Sequence, residues 1–179
     1  MNVAGALFFI ISTLLTLYSF CILARIILQV VRADFYNPVC QFVVKATNPF
    51  LRPMHRFIPI RPVDFSAIFL LLVVQSLVVC FESILKGIAL DPTFVVVNSV
   101  IQSIRLVLDF FVFTIFVQVI LSWVQPGGYN PMIALLHQLT EPLLAPVRRI
   151  LPDMGGLDLS PMVVLMGLYA LSILFPVLQ

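Results

Sequence analysis

A Tyr-Asn-Pro triplet occurs twice in this chain, at Tyr36-Asn37-Pro38 and at Tyr129-Asn130-Pro131, and each copy leads into prolines in one register. Pro49, Pro53 and Pro59 of the first copy stand opposite Pro142, Pro146 and Pro152 of the second, and Arg56 stands opposite Arg149. After one inserted residue, Asp64 stands opposite Asp158 and Ser66 opposite Ser160. Apolar composition matches leucine with valine; it does not align prolines, asparagines and arginines. Whatever the first half folds into, the second half is expected to fold into as well, which predicts two tandem units at 1–90 and 91–179.

The sequence around the motifs belongs in a bilayer. Hydrophobic residues make up 61% of the chain and charged residues 10%, with a mean hydropathy of +1.14, against about 45–50% and about 25% in soluble domains. Residues 3–24 carry no charge; they exceed the roughly 7–15 residues of a signal-peptide core and suffice to cross about 30 Å of hydrocarbon. Further spans are expected at 65–81, 106–123 and 159–178, with the start of the third pattern, including Gln102, at or above the membrane surface. Arg105 is the exception to watch, since pairing with Asp109 would draw it into the bilayer. The formal net charge of +2 and the absence of a dense basic run exclude a direct nucleic-acid reader. Cys21, Cys40 and Cys80 are odd in number and scattered, so free thiols are expected, with neither a disulfide framework nor a metal site.

An asparagine before a proline is a helix start, because the amide side chain caps free backbone N–H groups and proline at the first helical position loses no needed hydrogen bond. Asn37-Pro38 is expected to open a short helix over 38–47, with Val39, Phe42, Val43 and Ala46 on an apolar stripe and Gln41 and Lys45 off it, lying in the membrane interface. Asn48-Pro49 is expected to restart the chain in a new direction, and Pro53 and Pro59 to limit the next segment to a turn or two. Asp64 and Asp158 read as N-caps of the spans after them. Glu82 and Lys86 are i, i+4 partners. Gly155-Gly156 reads as a turn. The fold class is thus an all-α membrane protein of four spans in two parallel repeats, each span, interfacial helix, span, related by a pseudo-twofold axis along the membrane normal. The motif loops carry Arg32, Lys45, Arg52, Arg56, Arg61, Arg148 and Arg149, against Lys86 and Arg105 on the other side. By the positive-inside rule the motif loops are cytoplasmic and both termini lie outside.

The string from Asp34-Phe35-Tyr36-Asn37-Pro38 to Pro59, repeated from Tyr129-Asn130-Pro131 through Arg148-Arg149-Ile150-Leu151-Pro152 to Gly156-Leu157-Asp158-Leu159-Ser160-Pro161, resembles the YggT/YlmG family of bacterial and plastid membrane proteins, in its two-copy proteobacterial form. The resemblance covers nearly the whole chain. It implies a multi-pass protein of the bacterial inner membrane, and links to osmotic tolerance and potassium handling in some bacteria, and to division, nucleoid distribution or cytochrome biogenesis in others and in plastids. The copies differ at His55 against Arg148 and at Pro62-Val63 against Gly155-Gly156-Leu157.

No catalytic set and no cofactor site is indicated. His55 and His137 are the only histidines, His55 with Cys40 has no ligand spacing, and the serines and aspartates at helix starts are explained by capping. Arg56 and Arg149 have two compatible readings: binding lipid phosphates, or pairing with Asp64 and Asp158 to lock each interfacial helix to the next span. Arg25 is expected to snorkel to the headgroups, with an inward role as the alternative. With Gln29 it forms a polar stripe matched by Gln118 and Ser122, and the twofold would bring the stripes together. The reading is a non-enzymatic membrane scaffold or assembly factor whose interfacial segments contact lipid, a membrane-protein partner or a second copy; the alternative is a component of potassium flux or osmotic tolerance.

Overall fold

The computed structural model describes residues 3–34, 36–56, 64–124, 130–151 and 158–176. These form six helices and no strand: α1 (Val3–Val30), α2 (Pro38–His55), α3 (Phe65–Lys86), α4 (Pro92–Val124), α5 (Pro131–Arg148) and α6 (Ser160–Ile173). Three stretches are long and apolar enough to cross a membrane: Gly5–Val30, Phe65–Lys86 and Pro92–Ser122. α4 is one uninterrupted helix of 33 residues, about 50 Å long and longer than a single crossing requires, with Gln102 and Arg105 in its N-terminal half. α6 is apolar but has 14 residues, about 21 Å, and ends well before the expected residue 178.

Tertiary contact follows the chain. α1 packs along α3, α3 along α4 and α4 along α6, while α2 lies against α1 and α5 against α4. A large core joins Ile22, Leu28, Cys40, Leu51, Val74 and Phe110, and a smaller one joins Ile115, Leu144 and Leu168. Phe20 ties α1 to α4, with ring centroids 5.1 Å from Phe110 and 5.7 Å from Phe113.

The helix ends obey local rules. Asn37 and Asn130 cap α2 and α5, accepting from the amides of Val39 and Met132 at 2.9 Å, with proline at the first turn. Asp64 caps α3 through the amides of Ser66 (3.1 Å) and Ala67 (3.3 Å). Gly87, at φ 68°, ends α3 in the left-handed conformation. α1 ends the same way, except that the left-handed residue is Arg32, at φ 51°.

The expected break at Asn48-Pro49 does not occur. α2 continues to His55 through Pro49 and Pro53, and α5 to Arg148 through Pro142 and Pro146. The buried residues Cys40, Val43, Thr47 and Leu51 recur at i, i+3, i+7 and i+11, one face of a helix. All four prolines are exposed, and Pro49 and Pro53 fall on the opposite face, where the lost N–H groups face away from the packing. Burial along one side holds together a helix whose other side is interrupted. Phe42, on the expected apolar stripe, is 65% exposed.

Candidate functional site

Each motif helix is fixed at two corners, one to the helix before it and one to the helix after it. At the first corner of the N-terminal half, Arg25 of α1 donates from Nη1 to Thr47 Oγ1 (2.8 Å) and Asn48 Oδ1 (2.9 Å) of α2. Thr47 is fully buried and donates onward to the Val43 carbonyl at 2.8 Å. In the C-terminal half, Gln118 of α4 stands where Arg25 stood, bonding Thr140 Oγ1 through its amide oxygen and donating to His137 Nδ1 at 3.0 Å. Thr140 is also fully buried. The Arg25 guanidinium therefore engages the motif helix, the inward role given as the alternative. Arg25 and Gln118 are thus turned towards α2 and α5, not towards one another. Gln29 is half-buried, and Ser122 is exposed and bonds its own helix at Val119 O, 2.9 Å.

At the second corner, His55 Nε2 lies 2.8 Å from Asp64 Oδ2. In the other half Arg148 lies 3.0 Å from Asp158 and 3.2 Å from Glu141. The pairing of Arg56 with Asp64 and of Arg149 with Asp158 is thus corrected by one residue in each half. Because α2 stays helical to His55, the helix phase of 100° per residue turns position 55 towards α3 and leaves position 56 in solvent; Arg149 is displaced from Asp158 in the same way. Arg56 and Arg149 are exposed. His55 against Arg148, one of the motif positions where the copies differ, is the position that makes the contact.

The corners differ in electrostatics. Asp64 is 2% exposed and His55 16%, whereas Asp158 and Arg148 are each 44% exposed. Burial pushes the Asp158 carboxyl up, but hydrogen bonds from Ser160 and the Arg148 guanidinium outweigh it and hold the group below the usual carboxylate range. Desolvation lowers Arg148, and its contacts with Asp158 and Glu141 more than offset this. Among the described residues Arg105 and Asp109 make no ion pair; Arg105 donates instead to the Phe175 carbonyl at 3.1 Å.

The two Tyr-Asn-Pro copies meet. Asn37 Nδ2 donates to the Pro131 carbonyl at 2.9 Å, and Gln138 Nε2 donates to the carbonyls of Val31 (3.1 Å) and Arg32 (3.4 Å). Over this seam lies an open cleft of about 350 Å³ with Asp34, Asn37, Pro131 and Gln138 on its walls. Asn37 is buried and Tyr36 is 89% exposed. Pro59, Tyr129 and Pro152, and the Gly155-Gly156 turn, lie outside the described residues. Among the described residues no three His, Cys, Asp or Glu side chains converge as metal ligands. Sequence reasoning missed Thr47, Thr140, Asn48, Glu141 and Gln138. Thr47 and Thr140 are identical residues in the repeat register, each before a buried leucine four residues on, and that match was the available signal.

The model of the CCB3/YggT family matches this chain twice, over residues 4–85 and 97–179. The uncharacterized protein PA0392 of Pseudomonas aeruginosa is 41% identical over 94% of this chain and 87% of its own length. The uncharacterized protein YggT of Escherichia coli K12 is 38% identical over 94% and 88%, and a Vibrio alginolyticus protein encoded in the proC 3' region is 38% identical over 89% and 88%. No solved structure gives a significant match.

Proposed function

Because this chain belongs to the CCB3/YggT family, we propose, as the reading its geometry supports best, a non-enzymatic inner-membrane scaffold that grips the anionic headgroups of the cytoplasmic leaflet through its first motif helix. In this reading the chain has four spans in two parallel repeats, 1–90 and 91–179, with α2 and α5 as interfacial helices. α6 belongs to the fourth span.

One observation carries the proposal. Lys45, Arg52 and Arg56 are exposed and succeed one another at i, i+7 and i+11, a single stripe on α2 and its C-cap. That stripe lies opposite Cys40, Val43, Thr47 and Leu51, the residues α2 buries. The acids of the motif helices and corners are engaged elsewhere: Asp64 by His55, Asp158 and Glu141 by Arg148. Three cations that face outward, with no acid paired to them among the described residues, are matched by phosphate oxygens, at about 1 kcal/mol for each near an anionic surface. α5 has Gln138, Ala145 and Arg149 at the corresponding positions, which leaves α2 as the lipid-gripping member. Arg25 and Gln118, on which the ion-flux alternative drew, are both engaged by the motif helices.

Native mass spectrometry of the purified protein with phosphatidylglycerol and phosphatidylcholine tests this. Retention of phosphatidylglycerol over phosphatidylcholine is expected, and it should vanish when Lys45, Arg52 and Arg56 are all changed to Gln. Equal retention of the two lipids would sink the proposal.

A further inference from the structure

On the side of the bundle away from the motif helices, α1, α3 and α4 line a second polar chamber, of about 140 Å³ and open on one side, which the scaffold reading does not use. Its walls include Thr16, Gln75, Glu82, Gln102, Arg105 and Asp109. Glu82 lies one turn from the end of α3 at Lys86, and Gln75 seven residues deeper, about 10 Å into the span. Gln75 is the eleventh of the 22 residues of α3, so the chamber reaches mid-helix.

Most polar groups here are already engaged. Gln102 Nε2 donates to Glu82 at 3.1 Å, Arg105 donates to the Phe175 carbonyl at 3.1 Å, and Thr16 donates to Ser12 O at 2.9 Å. Two are not. Gln75 is 3% exposed and its amide makes no hydrogen bond among the described residues, although it faces the chamber. Asp109, exposed on α4 at the open edge of the chamber, accepts no hydrogen bond and forms no ion pair among them; the opposite charge that reaches it is Arg105, one turn earlier on α4. A buried amide without a partner calls for water, and the chamber has room for several. A carboxylate at mid-span persists only if it is hydrated, paired or neutralised.

We propose that Asp109 is a proton-exchange site fed by water in this chamber. Hydronium in the chamber gives its proton to the Asp109 carboxylate and leaves water behind; the reverse transfer discharges it. The titratable or charged groups facing Asp109 are Glu82 from α3 and Arg105 from α4. α1 contributes the Thr16 hydroxyl, and Lys86 lines the adjoining groove with Glu82. The site is independent of the lipid stripe on α2.

Carbodiimides modify protonated carboxyls in apolar surroundings, which makes dicyclohexylcarbodiimide the probe. In proteoliposomes, mass spectrometry should find the adduct on Asp109, with a rate that falls about tenfold per pH unit once the carboxyl ionises. Asp109→Asn should take no label. Thr16→Cys should react with a water-soluble methanethiosulfonate, which reads hydration without disturbing either acid. Absence of label on Asp109, a rate independent of pH, or an unreactive Thr16→Cys would each overturn the proposal. Suppression of labelling at fixed pH by sodium or potassium, but not by choline, would also overturn it, by assigning the site to a metal cation instead.

Discussion

Arg25 and Gln118 occupy corresponding places on α1 and α4, and each reaches a fully buried threonine, Thr47 or Thr140. One corner uses a guanidinium and the other an amide, so geometry rather than charge is what they share. Arg25→Gln should therefore be tolerated, while Arg25→Leu leaves Thr47 and Asn48 without their donor, at about 1–3 kcal/mol. Thermal unfolding in detergent should give a clearly lower midpoint for Arg25→Leu and one near wild type for Arg25→Gln. At the other corner the prediction concerns pH. Asp158 titrates below the usual carboxylate range when folded, so its contribution is fully present above the unfolded value, near pH 4, and is lost as pH falls through the folded value. With both partners 44% exposed, solvent screening keeps the effect below about 1 kcal/mol. The midpoint of wild type should fall slightly on acidification through that window, and Asp158→Asn should remove this component.

α1 and α3 stop in the same manner, by a left-handed residue whose successor's amide returns to the helix: Ala33 to Leu28 O and Ile88 to Ser83 O, each at 2.9 Å. Gly87 adopts φ 68° without strain, but Arg32 adopts 51° with a Cβ, which costs about 1–2 kcal/mol. Arg32→Gly should accordingly raise the unfolding midpoint, and a lower midpoint would show that the Arg32 side chain contributes more than its backbone strain removes. How much of these elements the sequence made legible depends on how local each signal is. Asn-Pro starts and the Asp64 cap depend on a few neighbouring residues and were readable. The passage of α2 through Pro49 and Pro53 was not, because the helix-breaking rule is local while the burial of Thr47 and Leu51 that overrides it is tertiary. The same continuity sets the helix phase that makes His55 and Arg148, rather than Arg56 and Arg149, the partners of the aspartates. The seam from Asn37 to Pro131 joins residues 94 apart in sequence, and no periodicity announces it.

At the scale of the whole molecule the unequal distribution of charge bears on orientation. Arg32, Lys45, Arg52, Arg56, Arg148 and Arg149 lie on or beside α2 and α5, while Lys86 closes α3 at the opposite end and Arg105 is bonded into the bundle. Basic residues flanking spans stay on the cytoplasmic side, and acids weigh little in that rule, so α2 and α5 should face the cytoplasm and the α3–α4 connection the outside. In intact cells a membrane-impermeant maleimide should then label Ile88→Cys and leave Arg52→Cys unlabelled until the membrane is opened, with Cys21, Cys40 and Cys80 first replaced by alanine. Labelling of Arg52→Cys from outside would reverse the orientation. The lipid stripe would then face the outer leaflet, and the Asp109 chamber would open to the cytoplasm, so this single measurement decides which compartment each of the two polar regions serves.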